Sequence, residues 1–357
     1  MYIQDLSLTN FRNHQQTKIE LGEGINIFAG DNAQGKTNIL EAIYLCAVAR
    51  SHRTTKEKET IKWGERSTHI QLSVQKKTIN NQIDFYISNT NKSVAINKLA
   101  INKLSDLFGV LNVVMFSPED LQLIKKSPKE RRKFLDIELC QFDKLYYYSL
   151  KQYHQVLKQR NNYLKQAKIS GNYELISIWD QQLSDFGIEI IKKRQQFIES
   201  LNLIATNIHN KISGGQEELK IIYEPNVAIN KFLDELQRTH TRDYLMQSTS
   251  VGPHRDDIKF LVNNMDAKLY SSQGQQRTVV LALKLAEIEM MKNRLGEAPI
   301  LLLDDVLSEL DCHRRQHLFN YTKSNQTIIT CNEFEQTIWQ DKKFDKLYLI
   351  KNGAISR

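Results

Sequence analysis

The sequence predicts an α/β protein whose core is assembled from both ends of the chain. A mostly helical second domain, an antiparallel helical hairpin, is inserted in the middle. Three observations carry this expectation. A glycine-rich loop follows a strand-like run near residue 30; an unbroken apolar run ending in two acids lies near residue 300; and residues 119–212 are rich in Lys, Gln, Leu and Tyr and nearly free of Pro and Gly.

Residues 2–8 and 25–29 read as strands, and 36–49 as a helix with Ile39, Leu40, Ile43 and Ala47 on one face. Residues 68–75 and 82–88 read as antiparallel strands turning at Asn80-Asn81. Residues 139–168 and 174–212 read as two long helices joined at Ile169-Ser170-Gly171-Asn172, and Ser213-Gly214-Gly215 ends the second. Strands are expected at 219–223 and 258–262, and a helix at 275–293. Pro299 precedes Ile300-Leu301-Leu302-Leu303, whose lack of alternation marks a buried parallel strand. Residues 326–330 and 345–350 are further strands, and Asn352-Gly353 turns the chain into a short last one. The expected domains are residues 1–115 with 250–357 for the discontinuous core, and 116–249 for the insertion.

With 357 residues, 41% hydrophobic and 25% charged, the chain can bury the cores of two or more domains. Its net charge is +8, and the segment from Lys125 to Lys168 alone holds twelve Lys or Arg against four Asp or Glu, also +8. Cys46, Cys140, Cys312 and Cys331 form no C-x-x-C pair, which argues against zinc and against a disulfide framework. No apolar run approaches the roughly 18 residues of a membrane span, so no membrane association and a cytoplasmic location are expected.

Gly30-Asp31-Asn32-Ala33-Gln34-Gly35-Lys36-Thr37 matches G-x-x-x-x-G-K-[ST] in full. The glycines let backbone N–H groups turn inward onto phosphate, Lys36 neutralises phosphate charge, and the Thr37 hydroxyl ligates Mg²⁺. The helix that follows, opening at Lys36, Thr37 and Asn38, aims its positive end at the anion. This points to ATP with Mg²⁺. The loop needs an acid at a strand tip to hold the metal through water, and Leu301-Leu302-Leu303-Asp304-Asp305 supplies one in Asp304. Asp305 is the candidate to orient or deprotonate the attacking water. An Asp reaches one methylene less far than a Glu, so hydrolysis is expected to be weak.

Ser271-Ser272-Gln273-Gly274-Gln275 opens the helix at 275–293. By itself it suits either an anion or an ordinary helix cap. Placed about 30 residues before Asp304, it resembles the ABC-ATPase signature loop, which implies γ-phosphate contact across to a second subunit. Ser308-Glu309-Leu310-Asp311 resembles the D-loop of the same superfamily, with Ser308 and Asp311 its polar positions. Leu8-Thr9-Asn10-Phe11-Arg12-Asn13 is similar to the first strand of chromosome-maintenance and break-repair ATPases, where the residue matching Arg12 reaches the nucleotide. Three further stretches narrow the match: Arg50-Ser51-His52-Arg53, the run 128–136 (P-K-E-R-R-K-F-L-D), and Val251-Gly252-Pro253-His254-Arg255-Asp256-Asp257. Together they resemble the RecF family of recombination-mediator ATPases, within the ABC-type and SMC-like superfamily. The resemblance implies an ABC-type ATPase head and an ATP-dependent homodimer on gapped, double-stranded or single-stranded DNA. It also implies DNA repair, replication restart and the SOS response, a nucleoid-associated protein, and help from RecR and RecO in loading RecA.

Two departures stand out. No His follows the strand Thr327-Ile328-Ile329-Thr330, which runs on into Cys331-Asn332. Phe116-Ser117-Pro118-Glu119 stands at the Q-loop, with Glu119 or Ser117 in place of the usual Gln. Both put rapid turnover in doubt.

The basic segment supplies the DNA-contact candidates: Lys125, Lys126, Lys129, Arg131, Arg132 and Lys133, then the spaced Lys151, Lys158, Arg160, Lys165 and Lys168. Tyr146, Tyr147, Tyr148 and Tyr153 lie among them, placed either to pack or to stack on bases. His52, Arg53, His254 and Arg255 are further candidates for nucleotide or DNA. Two rival readings are a structural chromosome protein and the ATPase subunit of a membrane transporter. Helices near 40 residues, about 60 Å, are too short for a long arm.

Overall fold

The computed structural model describes residues 1–77, 79–170, 175–332 and 343–356, with side chains except at 168–170. The chain divides into two compact units, Met1–Asp120 with Leu281–Arg357, and Leu121–Val280.

The first unit opens with β1 (Tyr2–Phe11) and β2 (His14–Glu20), an antiparallel pair. All five residues of β3 (Ile25–Ala29) are buried, and the chain then enters α1 (Lys36–Val48). β4 (Ser67–Gln75) alternates buried and half-buried residues, the pattern of a sheet with one covered face. It joins β1 on one side and β5 (Asn80–Ser88) on the other. β6 (Lys92–Ile96) and β7 (Leu99–Ala100) complete the order β2-β1-β4-β5-β6-β7. Asn80 and Asn81 pair with Gln75 and Val74, so they belong to β5 and not to the expected turn. β8 (Val113–Phe116) is wholly buried.

The second unit begins with α2 (Gln122–Lys125), α3 (Pro128–Phe142), α4 (Lys144–Ser170) and α5 (Ile176–Ile212). The single helix expected from 139 is two. Asp143 leaves helical geometry, and its carboxylate accepts from the amides of Leu145 and Tyr146, so it ends α3 and caps α4. Ile169 and Ser170 are helical, while 171 and 172 of the expected turn lie outside the described residues. β9 (Leu219–Glu224), α6 (Phe232–Arg238), α7 (His240–Met246), β10 (Asp257–Val262), β11 (Met265–Asp266) and α8 (Ala267–Tyr270) follow. β9 and β10 pair along their whole length, in a small sheet ordered β11-β10-β9. That ladder spans the boundary expected at 249/250 and carries residues 250–280 into the second unit. The division falls within α9 (Gln273–Leu295).

The chain then returns to the first unit with β12 (Ile300–Asp304), α10 (Val306–Glu309), α11 (Cys312–Thr322), β13 (Thr327–Cys331), β14 (Lys346–Lys351) and β15 (Ala354–Ser356). These strands interleave with two from the N-terminal segment in the order β15-β14-β3-β13-β12-β8, all parallel except β15. Asn352 and Gly353 both take positive φ, 50° and 74°, as a two-residue hairpin turn requires. No described helix is long and apolar enough to cross a membrane.

Candidate functional site

The parallel register brings the ends of β3, β12 and β13 to one edge: Thr330 lies level with Asp304, and Cys331 with Ala29. The phosphate loop leaves from that edge. Gly30 and Gly35 hold φ of 152° and 112°. A Cβ on Gly30 would meet the Ile350 carbonyl oxygen at 2.4 Å, and one on Gly35 would meet the Asn13 amide at 2.6 Å. Only glycine satisfies both demands.

Lys36 is 4% exposed. Its ammonium donates to the carbonyl oxygens of Gly30 (2.5 Å) and Asp31 (2.8 Å) and to Asn332 Oδ1 (3.0 Å). Thr37 Oγ1 donates to Asp304 Oδ1 at 2.8 Å, joining residues 267 positions apart. Thr330 Oγ1 donates to the same oxygen at 2.8 Å and accepts from the Asp305 amide at 3.1 Å. Asp305 sits at φ 52°, a left-handed turn that ends the strand. Burial pushes its carboxyl up; Lys36 pulls it back, and Asp304 and Glu309 push it further up.

The Thr37 and Asp304 oxygens suit Mg²⁺. Both are hard oxygen donors at hydrogen-bond distance, so Thr37 would ligate the ion and Asp304 would hold it through water.

The rest of the loop is braced by contacts that the sequence did not reveal. Asn13 Nδ2 donates to the Gln34 carbonyl (2.8 Å), and Asn38 Nδ2 donates to Asn13 Oδ1 (2.8 Å). Backbone amides of Asn352 and Gly353 reach Gln34 from the C-terminal hairpin. The His14 ring lies between the carbonyl oxygens of Gly35 (3.1 Å) and Gly353 (2.9 Å). Asp31, Asn32 and Ala33 form the exposed tip.

Glu41, fully buried on α1, is the other omission. Arg12 donates to it twice, at 2.9 and 2.6 Å, and gives a third bond to the Glu59 carbonyl. Ser51 Oγ donates to it at 2.5 Å, and Arg53 stands 3.8 Å away. Burial pushes Glu41 up, but the Arg12 and Ser51 hydrogen bonds outweigh it and hold the carboxyl below its usual range. The Arg50–Arg53 turn is therefore tied to the phosphate-loop helix. His52 packs edge-on against Tyr44 at 5.4 Å.

At the Q-loop position, Phe116 is level with Leu303 on β12, so Ser117 follows at the sheet edge while Glu119 is exposed. In the D-loop, Ser308 Oγ donates to the Asp305 carbonyl, and Asp311 caps α11 by accepting from the Arg314 amide.

The signature-like segment belongs to the second unit. Ser272 Oγ accepts from the Gln275 amide (3.2 Å), and Gln275 Oε1 accepts from the Ser272 amide (2.8 Å), a reciprocal capping box at the start of α9. Ser271 and Gly274 are half-buried, and Ser272 and Gln273 are exposed.

The basic candidates separate into two groups. Lys125, Lys126, Lys129, Lys151, Lys158, Lys165 and Arg255 are exposed, and Lys133 is half-buried. Arg131 is 6% exposed and bonds Asp257 at 2.6 and 2.9 Å and the carbonyls of Leu123 and Lys126. Arg132 donates to the Asp256 carbonyl at 2.6 Å. Arg160, fully buried, bonds Asp180, Asp243 and Thr249. Arg131, Arg132 and Arg160 are therefore framework, not DNA-facing as expected: their guanidiniums satisfy buried carboxylates and carbonyls. His254 accepts from Tyr153 at Nδ1 (2.6 Å) and donates to the Thr249 carbonyl at Nε2 (3.0 Å), and so is also internal. Tyr146 and Tyr153 are buried, which makes them packing residues. The side chain of Lys168 lies outside the described residues.

Comparison with known proteins agrees with this geometry. The RecF/RecN/SMC N terminal domain family matches residues 2–356. A DNA replication and repair protein RecF from Clostridium botulinum is 47% identical over 100% of both chains, and one from Lachnoclostridium phytofermentans is 45% identical over 100% of both. A solved structure of the recombination mediator protein RecF-ATP in the RecFOR pathway superposes with a TM-score of 0.94 at 36% identity, covering 99% of this chain and 97% of that one. The Smc head domain of Pyrococcus furiosus shares the fold, with a TM-score of 0.57 at 15% identity, covering 99% of this chain and 95% of that one. The chain belongs to the RecF/RecN/SMC N terminal domain family and, within it, to the RecF DNA replication and repair proteins.

Proposed function

We propose that this chain binds ATP with Mg²⁺ and uses it to close two copies of itself on DNA during recombinational repair and replication restart. The observation that carries the reading is the meeting of Thr37 and Asp304 at 2.8 Å beside the caged ammonium of Lys36. Phosphate oxygens would take over the Lys36 contacts now made by backbone carbonyls. Thr37 would ligate Mg²⁺ and Asp304 would hold it through water, where the ion would offset charge on the phosphates. Arg12 would turn from Glu41 toward the nucleotide.

Each chain has one phosphate loop and one signature-like loop, Ser271 to Gln275. Two complete sites then need two chains, each lending its loop to the other. Asp305 would align and deprotonate the attacking water, with Ser308 and Asp311 bordering it in the D-loop. Asn332 lends an oxygen to Lys36 where an imidazole would stand in many relatives, which supports slow turnover. The solved relative described with ATP in the RecFOR pathway supports RecR and RecO as partners; loading of RecA is the outcome that the family resemblance implies.

The test is fluorescence anisotropy of a gapped duplex at fixed salt, with and without ATP and Mg²⁺. Tighter binding with ATP, abolished in Lys36→Met together with ATP binding, is the expected result. Equal binding in both states would reject the nucleotide-operated clamp.

A further inference from the structure

Two lines of residues run along α4 at seven-residue intervals. Tyr146, Tyr153, Arg160 and Ala167 are buried, and Lys144, Lys151, Lys158 and Lys165 are exposed. The lines are offset by five positions, about 140° round a helix of 3.6 residues per turn. One faces the core of the second unit, and the other faces solvent.

Tyr148, Gln155 and Asn162 stand between the lysines, all exposed. The 27-residue helix contains no Asp or Glu, although 25% of the whole chain is charged. Among the described residues, seven carboxylates on neighbouring elements have other partners. Arg160 holds Asp180 and Asp243, Arg194 holds Asp136, Lys193 holds Asp143, and Lys192 holds Glu189. Asp185 and Glu199 accept from Gln181 and Gln195 on their own helix. None of these seven carboxylates pairs with the four lysines, which stand exposed to solvent.

The row from Lys144 to Lys165 is about 31 Å long at 1.5 Å per residue, close to one turn of B-DNA, about 34 Å. Neighbouring lysines lie about 10 Å apart, about three base-pair rises. A row held on one rigid helix, drifting about 20° round it per step, fits a duplex. A single strand binds through stacking platforms, and Tyr148 is the one aromatic on this line.

We infer that the outer face of α4 contacts the phosphate backbone of duplex DNA, with four ammonium groups and the polar side chains between them. The inference rests on the DNA-binding reading above and deepens it. The one arginine on this helix, Arg160, is buried, and the exposed cations along its outer face are all lysines, point charges suited to phosphate. The contact is therefore one of charge and shape, indifferent to sequence.

The test is the slope of log K against log salt for a 30-base-pair duplex, with the full-length protein, ATP and Mg²⁺. Replacing Lys144, Lys151, Lys158 and Lys165 together by Gln should make the slope shallower by about 3–4, with ATP affinity unchanged. Replacing all four by Arg should preserve it, which separates charge from folding. A Gln variant with the parent slope overturns the inference and leaves ATP-dependent DNA binding standing. A parent that fails to bind duplex overturns both. A parent that uses these lysines on poly-glutamate and not on duplex assigns the surface to an acidic polypeptide, which also overturns it.

Discussion

Asp304 accepts from two hydroxyls, Thr37 and Thr330, and only one of them was legible in the sequence. Thr37 belongs to a pattern in which spacing and residue type together encode phosphate chemistry. Thr330 is a single Thr in an apolar strand, and its role comes from the register that sets it level with Asp304. The same limit hid Glu41 and Asn13, which act through folded neighbours. At this scale Asp305 carries the first prediction. Asp305→Asn keeps the shape but cannot take a proton, so hydrolysis should fall by about 10²–10⁴ while ATP affinity is retained. Single-turnover hydrolysis measures it, and unchanged turnover in Asp305→Asn would remove it as the base.

His254 yields a prediction of opposite kind. Burial pushes it down from the usual 6.5 to about 4. The unfolded chain therefore takes up the proton first, and stability is lost as pH falls from about 6.5 towards 4. The loss between pH 7.5 and 5 should be about 2 kcal/mol. It should be absent from the pH dependence of His254→Asn, whatever that variant's absolute stability. Urea midpoints at the two pH values decide it.

Among the elements, helices and strands followed their periodicity, but the roles of charged residues on them did not. An Arg in a Lys-rich helix contributes the same charge whether it faces water or the core. Arg160 and Arg194 turn inward because the carboxylates Asp180, Asp243, Asp136 and Asp256 await them. The stretches 128–136 and 251–257, which carried the family resemblance, close on each other through Arg131 and Asp257. Within them Arg131, Arg132 and His254 serve as framework, while Lys129 and Arg255 stay exposed. Arg160→Met keeps much of the volume but strands two buried carboxylates. The expected cost is about 3–5 kcal/mol, softened where His240 still holds Asp180. Chemical denaturation should show that loss with ATP affinity retained, and a loss below about 1 kcal/mol would mean the network is not structural.

For the whole molecule, the sequence disclosed a core split between the two chain ends, because a phosphate loop and its acid stood 267 residues apart. It did not disclose that residues 250–280 belong to the other unit, since the β9–β10 ladder is a long-range pairing with no local mark. The signature-like loop therefore stands on a unit different from the one that holds the phosphate loop. The claim that it serves a second copy can be separated from its role as a helix cap. Ser272→Ala removes the hydroxyl that caps α9, at about 1 kcal/mol, but adds no bulk, so ATP should still drive dimers. Ser272→Arg removes the same cap and sets a long cation where the other copy would dock. It should bind ATP like the parent and remain a monomer. Sedimentation with ATP and Mg²⁺, in an Asp305→Asn background that preserves the nucleotide, distinguishes the two variants. Dimers of Ser272→Arg at parental strength would place the loop outside the shared site, and loss of dimers in both would trace the effect to the cap alone.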